Sequence, residues 1–359
     1  SDFQLFTDNT YTPLTTYKGN TYFVWIDKNF RPKVGRIKNG KVSFKFLDPD
    51  PKYKVLDNKH HRFSIGVDQD GYLHIAGDMH HYPKSAVDHL PDKYRDGIIM
   101  YWVSDKPEDI SSFSWMGKNI SRALPGYGFT YLSFQHDMDG ELYARCRNRI
   151  YKGPHKPGEM GYSIYRYNTD KKRWTNLGGK APSDPSARWN TIIWEDDSHK
   201  KKNIPDFYQG FLGQMRFDFN NRLHVAGAIN NNTQYDAASH IVYAYSDDRG
   251  NSFYRANGSK IKSLPIRVES GPAQGDIIEG PDQYATFASA SFDKDGNPIV
   301  TYTRMNKKAS HGMDPAFFKY FDKGNWSKRL SYPTGGHGKN IPVVDANGVI
   351  NFLNNTGKL

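Results

Sequence analysis

Five of the thirteen histidines fall in one 22-residue stretch, HHRFSIGVDQDGYLHIAGDMHH, as His60, His61, His74, His80 and His81. Imidazoles grouped in this way suit metal ligation, proton transfer or plain surface decoration. A second group lies downstream, where Tyr131 and Arg147 stand sixteen residues apart and Arg145 and Arg149 alternate with Arg147. Histidines, a tyrosine and an arginine on a basic protein fit one reaction well, elimination across C4–C5 of a uronic acid. A cation must neutralise the carboxylate so that the C5 proton becomes acidic. A base must take that proton, and an acid must protonate the group leaving from C4. His and Tyr are the residue types expected as base and acid once neighbours tune them.

The elements that must position these groups repeat along the chain. An apolar strand, then Asp-x-Asp/Asn-Gly or a near relative, then a second strand occurs as SIGVDQDGYLHIAGD, SFQHDMDGELYARCR, QMRFDFNNRLHVAGA and SASFDKDGNPIVTYT. PVVDANGVINFL is a shorter copy and WIDKNFRPKVGRI a weak one. Asp and Asn accept turn geometry and Gly supplies positive φ, so each copy reads as a β-hairpin. SDDRGNSF, Ser246 to Phe253, fits the Asp box that joins the outer strands of a propeller blade, and it reads as structural. Repeated strand pairs with few helix-like stretches imply an all-β fold, a single β-propeller of four-stranded antiparallel sheets over residues 1–359, with seven blades expected. The strong copies are spaced by 69, 81 and 75 residues, longer than a plain blade.

Hairpin geometry then brings the candidates to the open end of neighbouring blades. His60 and His61 precede the first strand of their hairpin, and His80 and His81 follow the second. Tyr131 and Arg147 flank the next hairpin in the same way. His74 reads as a mid-strand bystander packed beside Tyr72. The plain alternatives are a core aromatic for Tyr131 and a cross-strand ion pair for Arg147. The HKKKN run reads as a solvated loop. Arg188 and Tyr208 are assigned to the rim on position alone.

Net charge is +11 and the pI about 9.3, which favours polyanions as partners. The basic residues are scattered, without a zinc-finger spacing or an RNP motif, so nucleic acid is not expected. The single cysteine, Cys146, excludes an intrachain disulfide and a cysteine-rich zinc site. No apolar run is long enough to span a membrane as a helix. The chain begins with Ser1, and the expectation is a secreted or periplasmic monomer whose signal peptide has been removed. No cofactor is required by the chemistry above; a structural metal of another ligand type stays open.

These residues resemble the BNR-repeat propellers that include the ulvan lyases of polysaccharide lyase families 24 and 25. The segments HHRFSIGVDQDGYLHIAGDMHHYP and TYLSFQHDMDGELYARCRNR carry the likeness, and FYQGFLGQMRFDFNNRLHVAGAINNN is compatible with it. The resemblance implies that Tyr131 and a histidine (His80, with His60 or His61) share proton transfer, and that Arg147 binds the carboxylate. His81, Arg145, Arg149, Arg188 and Tyr208 are expected to contact substrate. The implied activity is β-elimination of an anionic uronate polysaccharide. The alternatives are a dehydratase acting on a terminal uronic acid, a propeller glycoside hydrolase, and a sugar-binding module. Hydrolysis needs a carboxylate pair, and Asp78, Glu195 and Asp196 supply none of convincing placement.

Overall fold

The structure is a computed structural model that describes residues 11–55, 61–77, 100–117, 129–149, 160–180, 190–193, 208–212, 215–231, 238–268, 270–283, 285–304, 316–332, 341–345 and 349–353. The described residues are all strand, turn and loop, without an α-helix. They fall into two compact units, Ser1–Asn148 with Ile164–Asn176 and Arg149–Ser163 with Leu177–Leu359.

The first unit is built from antiparallel four-stranded meanders, each strand hydrogen-bonded to the next in sequence. The first sheet is β1 (Leu14–Tyr17), β2 (Asn20–Ile26), β3 (Pro32–Lys38) and β4 (Lys41–Phe46). The second is β5 (Phe63–Val67), β6 (Leu73–Gly77), β7 (Tyr101–Ser104) and β8 (Phe113–Trp115). The third is β9 (Thr130–His136), β10 (Leu142–Arg149), β11 (Met160–Asn168) and β12 (Arg173–Asn176). Their facing sides bury one continuous core from Tyr22 and Val24 through Ile65, Ile75 and Trp102 to Phe134, Leu142 and Trp174. Gly66 allows the close approach of β5 to β9, since a Cβ there would fall 2.8 Å from Phe134 Cβ and 2.7 Å from Leu142.

The second unit is also built of antiparallel sheets, but it departs from the simple four-stranded meander, and its strands range from two to nine residues. Short strands β13 (Gly179–Lys180) and β14 (Asn190–Thr191) precede a sheet of β15 (Tyr208–Leu212), β16 (Arg216–Phe217), β17 (Leu223–Asn231), β18 (Ala238–Ser246), β19 (Phe253–Tyr254), β20 (Lys260–Ile261) and β21 (Asp276–Gln283). A further sheet holds β22 (Ala285–Phe292), β23 (Pro298–Arg304), β24 (Ala316–Asp322), β25 (Asn325–Trp326) and β26 (Leu330–Tyr332), and β27 (Ile341–Val344) pairs with β28 (Ile350–Leu353).

Every repeated Asp motif turns one strand into the next, and its chemistry is uniform. Asp27, Asp137, Asp218 and Asp293 each accept, at Oδ1, the backbone N–H groups two and four residues on, at 2.8–3.0 Å. Asp68 and Asp345 accept the one four residues on. The fourth motif position is left-handed, with φ of 61° at Phe30, 90° at Gly71, 80° at Gly140, 63° at Asn221 and 81° at Gly296. Glycine therefore answers a backbone demand, which the copies with Phe30 and Asn221 meet at some strain. At Gly140 no atom stands within 4 Å of where a Cβ would sit, so a substitution reads the backbone cost alone. Gly140→Ala is expected to lower the unfolding free energy by about 1 kcal/mol, with Gly140→Asn costing less, as measured by denaturant unfolding.

The Asp box lies between β18 and β19. Asp248 accepts the Ser252 N–H at 2.8 Å, the Ser252 hydroxyl at 2.6 Å and the Ser246 hydroxyl at 2.8 Å, while Gly250 N–H donates to Ser246 Oγ. These polar groups are spent on the turn, which fits the structural role read from the sequence.

Candidate functional site

β5 and β9 run side by side in the same direction. Ser64 Oγ donates to the Leu132 carbonyl at 2.6 Å, Gly66 lies against Phe134, and His136 Nε2 meets the Val67 carbonyl at 2.5 Å. Thr12 ties the two together: its N–H donates to Ser64 Oγ and its Oγ1 accepts the Phe134 N–H. This alignment sets the start of β5, with His61, level with the start of β9, with Thr130 and Tyr131. The Asp turns lie at the opposite ends of these strands.

Arg147 and Tyr131 are brought together by a bulge. The β9–β10 ladder pairs Arg145 with Ser133 and then Arg147 with Thr130, so three steps on β9 match two on β10. A bulge of this kind re-aims a side chain and strengthens local twist. Tyr131 takes it up with a φ of 56°, a strained value for an aromatic residue. Its ring then lies under the Arg147 guanidinium, whose Cζ is 4.6 Å from the ring centroid, and packs edge-on against Tyr11 at 6.1 Å. Arg147 Nε donates to Thr130 Oγ1 at 2.9 Å, which fixes the plane of the guanidinium. Tyr131 is half-buried and stands apart from the core that takes Phe129, Leu132 and Phe134.

His61 lies in the described residues and is buried, with its carbonyl accepting from Arg62 Nη1 at 3.3 Å. Arg145 shares the Arg147 side of β10 and is enclosed, at 1% exposure. Cys146 points to the other side, into the core, where burial pushes its thiol pKa far up. Arg149 ends β10 and Tyr208 begins β15, both placed as backbone only. His60, His80, His81 and Arg188, together with Asp78, Glu195 and Asp196, lie outside the described residues. Among the described residues no group of three or more His, Cys, Asp or Glu is placed to hold a metal ion. Among them there is no helix long and apolar enough to cross a membrane.

His74 lies within β6, the mid-strand residue that the sequence implies. It is wholly buried, with ring contacts to Tyr167 at 4.6 Å, Tyr101 at 5.9 Å and Trp174 at 6.0 Å. Its Nδ1 meets the Tyr101 hydroxyl at 2.6 Å and its Nε2 meets Asp68 Oδ2 at 3.3 Å. The carboxylate can only accept, so Nε2 carries a proton toward Asp68, and Nδ1 pairs with the phenol. The second unit repeats the network: His224 Nδ1 to Tyr243 at 2.7 Å and Nε2 to Asp218 Oδ2 at 3.5 Å. In both, the turn aspartate uses one oxygen for the hairpin and the other for the histidine six residues on. Lys33 and Asn351 hold the same station opposite Asp27 and Asp345. The Asp-x5-His spacing in VDQDGYLH and FDFNNRLH is the sequence signal that marks these histidines as structural.

The His224 network gives stability a pH dependence. Burial lowers the His224 pKa, only partly opposed by Asp218. Burial alone would raise the Asp218 carboxyl, but hydrogen bonds from His224 and from the backbone of Arg222 and Asn220 hold it low. Below the unfolded histidine value of about 6.5 the unfolded chain binds the extra proton first, so stability falls as pH drops. A second loss follows below about pH 4 from Asp218. Melting temperature is expected to decline from pH 7 to pH 5, with a shallower slope in His224→Gln; an unchanged slope would assign the limb to other groups.

The model of a BNR repeat-containing family member matches residues 20–331. No curated protein matches the chain. Among solved structures, polysaccharide lyase Uly1 aligns with a TM-score of 0.64 at 15% identity, covering 95% of this chain and 80% of that one. A PL25 ulvan lyase aligns with a TM-score of 0.62 at 15% identity, over 89% of this chain and 70% of that one. The same lyase bound to -[GlcA(1-4)Rha3S]- gives 0.61 at 15% identity, over 89% and 71%. At this identity the likeness establishes a shared fold.

Proposed function

This chain belongs to the BNR repeat-containing family, and on that premise we propose that it is a polysaccharide lyase acting by β-elimination on an anionic, uronate-containing polymer of the ulvan type. The observation that carries the reading is the Arg147 guanidinium held over the bulged Tyr131 ring. A planar cation is suited to pair with a uronate carboxylate. The phenol beside it is suited to move a proton at C5 or at the C4 oxygen of the same sugar. In this reading Arg147 binds the carboxylate, and Tyr131 shares the two proton transfers with a histidine. His61 is the described candidate for that partner, level with Tyr131, and His60 and His80 are the others. The C5–H electrons form the C4–C5 double bond as the C4–O bond breaks, and the departing oxygen receives the proton. His81, Arg145, Arg149, Arg188 and Tyr208 are assigned to substrate contact or to its support, and these steps call on no cofactor. The fold shared with a lyase solved with -[GlcA(1-4)Rha3S]- supports a substrate of similar charge and linkage. Action as a secreted or periplasmic monomer is part of the proposal.

The test is ultraviolet absorbance of the conjugated unsaturated uronate, with purified protein on ulvan and on short uronate-ended oligosaccharides. A rise on polymer with falling chain length supports the lyase. A rise only on oligosaccharides of unchanged length assigns a dehydratase. No rise on either removes elimination of these substrates.

A further inference from the structure

The charge excess is less evenly spread than a scan of the sequence suggests. Residues 28–52 carry eight lysines and arginines against two aspartates, a net +6 out of +11 for the chain. This segment contains β3 and β4. β4 is the outermost strand of its sheet, and all six of its residues are exposed. Lys41 and Lys45 alternate along it with Val42, Phe44 and Phe46, which are 63%, 55% and 39% exposed.

The aromatic side of this strand is already organised around cations. Arg31 Cζ lies 3.6 Å from the Phe46 ring centroid, and Lys33 Nζ lies 4.9 Å from Phe46 and 5.3 Å from Phe44. Phe44 in turn packs edge-on against Trp25 at 5.8 Å. The rings hold the cations in place before any ligand arrives, which lowers the ordering cost of binding. Lysines on an edge strand also discourage edge-to-edge pairing. That explains Lys41 and Lys45, and the ion pair with Asp27 at 3.3 Å accounts for Lys33, but the exposed rings and the Arg31 guanidinium on Phe46 are left without a role.

We propose that β4, with Arg31 and Lys33, is a docking strip for an anionic polysaccharide, on a different sheet from Tyr131 and Arg147. The choice of ligand rests on the reading of the chain as a polysaccharide lyase. Charge selects against a second copy, since a symmetric contact would oppose two strips of the same sign. The guanidinium on Phe46 occupies the face a nucleobase would stack on, whereas carboxylates and sulfates spaced along a polymer meet the cations where they stand. The exposed edges of Val42 and Phe44 then contact the C–H faces of the sugar rings. Such a strip raises the residence of a long substrate without touching the reacting sugar.

The experiment is affinity electrophoresis of the full chain in gels carrying a polyuronate, dextran sulfate or neutral dextran, with the double variants Lys41→Glu/Lys45→Glu and Phe44→Ser/Phe46→Ser. Both polyanions are expected to retain the wild type, and neutral dextran not to. The charge variant is expected to bind them about tenfold more weakly or worse, with a shallower salt dependence. The aromatic variant should weaken binding less, and both should keep the wild-type melting temperature and rate on short oligosaccharides. Equal retention of the charge variant, equal binding to neutral dextran, or tighter binding of single-stranded DNA or anionic vesicles than of polyuronate overturns the proposal. A change of oligomeric state or melting temperature in the charge variant also overturns it and makes β4 a packing surface. Retention without any elimination product leaves the strip standing and removes the lyase reading instead.

Discussion

Arg147→Ala is expected to lower kcat/KM on a uronate substrate by about 10²–10³-fold, most of it in kcat. As the C5 proton leaves, negative charge builds onto the carboxylate, so the bond to the guanidinium strengthens toward the transition state. Loss of such a bond cannot be repaired by more substrate. Arg147→Lys should recover only part of the rate, because an ammonium keeps the charge but has neither the planar fork nor the hydrogen bond from Nε to Thr130. The check is the initial rate of ultraviolet absorbance against substrate concentration, with melting curves beside it. A rise in KM alone would reduce Arg147 to uniform binding. An unchanged rate would make it a clamp for the bulge and no more.

Tyr131→Phe is the complementary change and is expected to cost about 10²–10⁴-fold in kcat, the range for losing one acid or base. The substitution keeps the ring, and with it the edge contact to Tyr11 and the cation above. Melting temperature should therefore stay within a degree or two of the wild type, on the order of what one hydroxyl on a half-buried side chain is worth. The pH profile of kcat should lose one limb, because one of two titrating groups is gone. A variant with full activity would leave the ring as a platform and pass both proton transfers to histidines.

The hairpins were legible in the sequence because one local rule makes them: an aspartate that caps backbone N–H groups and a glycine in the left-handed region. Asp68, Asp137 and Asp293 show both parts of the rule, and the Asp box of Ser246 to Phe253 folds as its pattern implies. Hairpin closure also made legible that Tyr131 and Arg147 fall at the same end of their hairpin, although the bulge sets their contact. Three things were not. The bulge at Tyr131 lies in TYLSF, which has neither glycine nor proline to announce it. The burial of His74 depends on Tyr167 and Trp174, which arrive from another sheet. The crowding of charge in residues 28–52 emerges only when charge is counted segment by segment, because the lysines and arginines there are separated by other residues and look scattered along the chain.

The slip in the β9–β10 ladder also bears on how this region tolerates change in length. Ser133 and Arg145 keep one register, and Thr130 and Arg147 resume it one residue out of step. β22–β23 slips in the same way between Thr286/Thr303 and Ser289/Thr301, seven residues before its own turn aspartate as Thr130 is before Asp137. Deleting one residue between Thr130 and Ser133 would let the ladder run evenly and carry the neighbouring side chain to the opposite surface of the sheet. Point substitutions in this stretch can leave the phenol where it is, whereas a single-codon deletion cannot. Indels are thus barred from β9 by parity alone, whatever amino acids surround the site.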